Sequence, residues 1–152
     1  MSVIYLAVGS VTGTATAVAQ ELQKKLESLG HQVVVDTVAS VAAMNASAAD
    51  AVLICTATTG AGDVPANIAT FYMELDEQFP LQNGKPFGVI SLGDSSYDET
   101  FCNAGALFEE RFLELQGTQT VPRVTIDATE TSNPDEDALF WLQEWIEKTL
   151  AS

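Results

Sequence analysis

Cations are scarce in this sequence. Its 152 residues hold six Lys and Arg against 21 Asp and Glu, a net charge of −15. So acidic a surface repels nucleic acid and anionic lipid, which excludes both as expected partners. It would steer toward a basic patch on another protein, although acidity also serves solubility alone. Histidine occurs once, as His31, and cysteine twice, as Cys55 and Cys102, without metal-ligand spacing. No zinc or other metal site and no Cys/His nucleophile is supported. No apolar run approaches the roughly 20 residues of a membrane span. No basic segment precedes the first apolar run at Val3, so a secretory leader is not expected. The expectation is a cytoplasmic chain with both thiols reduced.

What is present is a folding pattern. Hydrophobic residues make up 47% of the chain and charged ones only 18%, the balance of a globular protein. The length suits one domain, residues 1–152. Val3 to Val8 is almost wholly apolar, as in a strand buried on both faces of a parallel sheet. From Thr14 to Leu29 the residues Val18, Leu22, Leu26 and Leu29 share one helical face, and Gly30 is placed to end the helix. Gln32 to Thr37, Ala51 to Thr56, Phe87 to Leu92 and Val121 to Ile126 read as further strands. Helices are expected over Pro65 to Gln78, over Ala104 to Gln116 with Gly117 as the stop, and after Asn133. Asn133 can cap that last helix, Pro134 suits its first turn, and Asp135, Glu136 and Asp137 favour its positive end. Between Asp36 and Asp50 the pattern is least clear, with room for a short helix.

Five strands alternating with helices imply a doubly wound α/β parallel sheet flanked by helices. Ligands of such sheets sit outside the carboxyl ends of the strands. Three loops lie there. After the first strand, Ser10-Val11-Thr12-Gly13-Thr14-Ala15 offers hydroxyls, a permissive glycine and the start of a helix. That is a phosphate cradle of neutral donors, although such turns also do no more than cap helices. It lacks the G-x-x-x-x-G-K-[ST] spacing, so a nucleoside-triphosphate P-loop is excluded. After the third strand, Thr56-Ala57-Thr58-Thr59-Gly60-Ala61-Gly62-Asp63-Val64-Pro65 can turn its backbone toward a ligand or serve as a plain flexible turn, and Asp63 can cap the next helix. After the fourth, Gly93-Asp94-Ser95-Ser96-Tyr97-Asp98-Glu99-Thr100-Phe101-Cys102 can present an aromatic face, although such a Tyr also does no more than pack over the sheet edge. A flat heterocycle carrying one phosphate suits the three together.

These residues resemble the flavodoxins. Ser10 to Ala15 resembles that family's FMN phosphate loop, and Gly93 to Tyr97 with Phe101-Cys102 resembles the loop covering the flavin. Gly60-Ala61-Gly62-Asp63-Val64-Pro65 with Asn67, and the tail from Pro134 through Trp141-Leu142 to Trp145, are similar to the MioC-type short-chain members. The resemblance implies strand order 2-1-3-4-5 and FMN as cofactor. It places Ser10, Val11, Thr12, Gly13, Thr14, Ala15, Ala57, Thr58, Thr59, Gly60, Ala61, Leu92, Gly93, Asp94, Tyr97, Phe101 and Cys102 around that cofactor. It further implies a low-potential one-electron carrier, monomeric, working between a flavin reductase upstream and an acceptor enzyme downstream, and not a catalyst by itself. The Gly60 carbonyl would meet the protonated N5 of the reduced flavin, and backbone N–H groups near Asp94 and Cys102 its pyrimidine edge. The acidic surface and the Tyr97 ring would lower the second reduction potential. Thr59 stands where many members place an aromatic residue, a loss worth near 1 kcal/mol of stacking.

Rivals of other classes fit less well. A response-regulator receiver needs an acidic cluster after the first strand and a lysine after the fifth, where this chain has Val8-Gly9-Ser10 and Asp127-Ala128-Thr129. A flavin-dependent NAD(P)H or quinone oxidoreductase needs a nicotinamide pocket, and no insertion is long enough to build one. Cys102 has no basic neighbour to activate it and reads as a structural cysteine and not a redox thiol; Asp94, with no paired acid, reads as a loop-shaping residue; His31 reads as exposed.

Overall fold

The computed structural model describes residues 2–10, 13–57, 64–93, 103–127 and 133–150. Its elements follow one another as β1 (Val3–Gly9), α1 (Thr14–Ser28), β2 (Gln32–Asp36), α2 (Val41–Ala46), β3 (Ala51–Ala57), α3 (Ala66–Gln78), β4 (Pro86–Gly93), α4 (Asn103–Glu114), β5 (Thr118–Gln119), β6 (Val124–Asp127) and α5 (Pro134–Thr149). Among the described residues all strand pairs are parallel, in the order β2-β1-β3-β4, with β5 and β6 both against β4. This is the expected 2-1-3-4-5 sheet, its fifth lane made of two pieces.

β1, β3 and β4 are apolar on both faces because both faces are covered. Ile4, Leu6, Val8, Leu53, Cys55, Ile90 and Leu92 pack under α1 and α5 with Val18, Leu22, Leu26, Leu142 and Trp145. Tyr5, Ala7, Val52, Ile54, Phe87 and Val89 pack on the other side with Met44, Ile68, Phe71, Leu75, Phe108 and Phe112. Alternate residues of one strand thus feed two cores, as a period of two requires. Two glycines let elements approach closely. A Cβ on Gly88 would lie 2.6 Å from Trp141 and 2.8 Å from Trp145 Nε1, and one on Gly105 would lie 2.3 Å from Ser91 Cβ. Gly88 seats α5 on β4 from one side, and Gly105 seats α4 on it from the other.

Several expectations are corrected. The fifth strand was expected over Val121 to Ile126, but Thr120–Arg123 interrupt the lane between β5 and β6. Pro122 cannot donate to the ladder, and its carbonyl instead accepts the Trp141 Nε1–H at 2.9 Å. Leu29 is exposed, because the chain leaves the helix there as its C-cap; Gly30 follows with φ +90°. α4 stops short of Gly117: Gln116 takes the left-handed conformation at φ 66°, while Gly117 makes room for Phe87, 2.8 Å from where its Cβ would be. Asn133 occupies the N-cap of α5 without a side-chain cap, and its carbonyl accepts the Glu136 N–H at 3.1 Å. His31 is half-buried rather than exposed, its Nδ1 accepting the Ser2 N–H at 3.1 Å. The unclear stretch after Asp36 does contain a short helix, α2, capped by Ser40 Oγ on the Ala43 N–H. The expected cap Asp63 lies outside the described residues. Among the described residues no helix is long and apolar enough to cross a membrane.

Candidate functional site

The sheet register brings the ends of the inner strands into line. Gly9 pairs with Thr56, Thr56 with Ser91, and Ser91 with Thr125. One residue further on, Ser10, Ala57 and Leu92 head three neighbouring lanes, with Ala57 paired to Leu92. Lanes are about 4.8 Å apart, so β1 to β4 spans roughly 10 Å, a rim on which a tricyclic ring can lie. Gly93 ends β4 opposite Asp127.

At the β1 end the chain turns into α1. Ser10 Oγ accepts the Gly13 N–H at 2.8 Å, and the Gly13 carbonyl accepts the Ala17 N–H at 3.0 Å. Gly13 sits at φ 94°, a left-handed conformation that a side chain would strain. As N-cap it provides no side-chain hydrogen bond, and the first turn of α1 carries no acidic residue. The contrast with α5 is instructive, since its first turn carries Asp135, Glu136 and Asp137. The positive end of α5 already faces carboxylates, whereas that of α1 faces none of its own. Neutral donors and an acid-free helix end suit a phosphate monoester without any cationic side chain. The donor set therefore fits the phosphate of FMN.

The structure sorts the expected residues. Ser10, Gly13, Thr14, Ala57 and Gly93 lie together at the carboxyl rim. Ala15 and Leu92 reach it with their backbones, since both side chains belong to the core beneath α1 and α5. Val11, Thr12, Thr58, Thr59, Gly60, Ala61, Asp94, Tyr97, Phe101 and Cys102 lie outside the described residues.

One contributor had no role assigned from sequence. Asn67, in the first turn of α3, accepts the Ser10 N–H on Oδ1 at 3.1 Å and donates from Nδ2 to the carbonyls of Val8 and Thr37, both at 2.8 Å. In the sequence it stands out only beside the Gly60–Pro65 motif, close behind Pro65, the N-cap of α3, and that resemblance attaches no role to it. Next to it the β2–α2 turn is held by Asp36, which accepts the Tyr5 hydroxyl at 2.8 Å and the Val38 N–H at 2.9 Å. Burial and the Asp36 carboxylate both push the Tyr5 phenol well above its ordinary range, so it stays a donor.

Cys55 lies beneath the cradle. Its Sγ–H points to the Ala15 carbonyl at 3.6 Å, and full burial pushes its pKa up to about 12. The thiolate is the reactive form. Native protein at about pH 8 should therefore leave Cys55 unalkylated by iodoacetamide, with labelling only in denaturant, as peptide mass mapping would show. Labelling of Cys55 in the native state would mean that α1 opens readily from β3.

Comparison with known proteins gives consistent relatives. A family model described as Flavodoxin matches residues 6–141. The uncharacterized protein PA3435 of Pseudomonas aeruginosa is 42% identical over 137 residues, covering 90% of this chain and 91% of that protein. Protein MioC of Escherichia coli O157:H7 is 35% identical over 146 residues, covering 96% and 97%. Among solved structures, a cysteine-to-serine mutant of a flavodoxin from Pseudomonas aeruginosa superposes with a TM-score of 0.92 at 38% identity, covering 97% of this chain and 99% of that one.

Proposed function

Because the chain belongs to the flavodoxin family, and so is an FMN-binding electron carrier, we propose that residues 1–152 form one FMN-binding domain that shuttles electrons without catalysing a reaction by itself. A flavin reductase would load it and a redox enzyme would unload it, each docking a basic patch on this acidic surface in the cytoplasm. Nucleic acid and membranes are not its partners on this reading, and it works as a monomer. The observation that supports the reading best is the acid-free, glycine-capped start of α1, opening on the rim where β3 and β4 end.

FMN, when bound, takes up and releases electrons one at a time. The chain's part is to hold and orient it. Ser10, Val11, Thr12, Gly13, Thr14 and Ala15 receive the phosphate with hydroxyls and backbone N–H groups. Ala57, Thr58, Thr59, Gly60 and Ala61 present backbone to one ring edge, with the Gly60 carbonyl holding the proton at N5. Tyr97 and Phe101 would cover the ring and exclude water, Leu92 and Gly93 would present backbone beneath it, and backbone N–H groups near Asp94 and Cys102 would meet its pyrimidine edge.

Two measurements test this. Apoprotein is expected to bind FMN about a hundredfold or more tightly than riboflavin, because only FMN engages the cradle, as fluorescence quenching would report. Holoprotein alone should not sustain NAD(P)H oxidation and should be reduced only when a flavin reductase is added. Equal affinity for the two flavins refutes the cradle; steady NAD(P)H turnover by the pure protein would make it an oxidoreductase in its own right.

A further inference from the structure

We propose that Asn67 is a positioning residue that pre-forms the phosphate cradle, so that recognition of the phosphomonoester, more than of the ring, depends on it. The proposal rests on the cradle assigned above. An amide side chain has one acceptor oxygen and two N–H donors. Here the oxygen takes the Ser10 N–H and the nitrogen donates to the carbonyls of both Val8 and Thr37. These partners lie 57, 59 and 30 residues away in sequence, on segments that Asn67 draws together at the rim.

The chain of contacts continues into the helix. Asn67 holds the Ser10 backbone, Ser10 Oγ holds the Gly13 N–H, and the Gly13 carbonyl holds Ala17 in the first turn of α1. The start of α3 is thereby tied through one side chain to the start of α1. Close approach makes this possible: Gly9 has no Cβ, and one placed there would lie 2.4 Å from Ile68 Cδ1, the neighbour of Asn67. No common replacement has the same reach and donor pattern. A carboxylate would face two carbonyl oxygens, glutamine is one methylene too long, and alanine leaves the Ser10 N–H and two carbonyls without this partner.

The experiment compares FMN and riboflavin affinities in apoprotein carrying Asn67→Ala, with Asn67→Ser as a second variant that keeps a short polar side chain. FMN affinity should fall about tenfold or more and riboflavin affinity less than about threefold, collapsing the preference for the phosphorylated flavin. A residue that only supports the fold would weaken both alike, and an unchanged FMN-to-riboflavin ratio overturns the proposal. Wild-type apoprotein gives an independent reading by hydrogen exchange. The Ser10 amide should be protected before any flavin is added, and free exchange there overturns the proposal even if neither variant folds. Failure of the wild type to prefer FMN would instead strike at the cradle itself.

Discussion

Replacing Thr14 with aspartate is expected to lower FMN affinity about a hundredfold while raising the melting temperature of the apoprotein. Thr14 is the first residue of α1, directly after Gly13. A carboxylate there meets the positive end of the helix, worth about 0.3–1 kcal/mol when nothing else occupies it. The same carboxylate stands where the phosphate should bind. Two like charges some 4–5 Å apart near a protein surface repel by on the order of 3 kcal/mol, which is about two decades in affinity. The signs are therefore opposite: more stable empty, weaker with FMN. Riboflavin, lacking the phosphate, should bind with nearly unchanged affinity. Titration of apoprotein with both flavins, alongside thermal unfolding, checks all three. A parallel loss for riboflavin would show that the substitution disturbs the rim in general. Unchanged FMN affinity would place the phosphate elsewhere.

The second large effect concerns the core. Trp145→Ala is expected to cost about 3–5 kcal/mol of stability and roughly 10 °C in melting temperature. Trp145 is fully buried, donates from Nε1 to the Phe87 carbonyl at 3.4 Å, and stacks on Trp141 with ring centroids 6.3 Å apart. It lies against Gly88, whose missing side chain gives the indole its space. Gly88→Ala in the native background should destabilise by about 1–3 kcal/mol through overpacking. In the Trp145→Ala background the same change should cost less, because half of the collision is gone. Urea unfolding of the four proteins of this cycle measures the coupling. Strict additivity would mean that Gly88 and Trp145 do not share their volume.

The outcome along the chain shows which features sequence carries. The faces of α1, α3 and α5 were legible because Val18, Leu22 and Leu26, then Ile68, Phe71 and Leu75, then Trp141, Leu142 and Trp145 recur at helical spacing and are buried. The central strands were legible as unbroken apolar runs. Val121 misled because it is apolar and buried, yet it sits in the break between β5 and β6. A local pattern registers burial there but not pairing. At the site, Ser10, Gly13 and Thr14 announce themselves by composition next to a helix start. Asn67 shows only as part of a motif and not by its role, since its partners at Val8, Ser10 and Thr37 become neighbours only once the sheet has formed.

The divided fifth lane has a consequence for solubility at high concentration. A sheet that stays open exposes one border on each side, and an uninterrupted border invites another molecule to add a strand and templates fibrils. Here that border offers a two-residue piece, a four-residue gap with the exposed Pro122, and another short piece beside the Arg123–Glu109 ion pair at 2.6 Å. An incoming strand finds no continuous row of amides to zip against. Mutual repulsion between chains of charge −15 keeps such encounters brief.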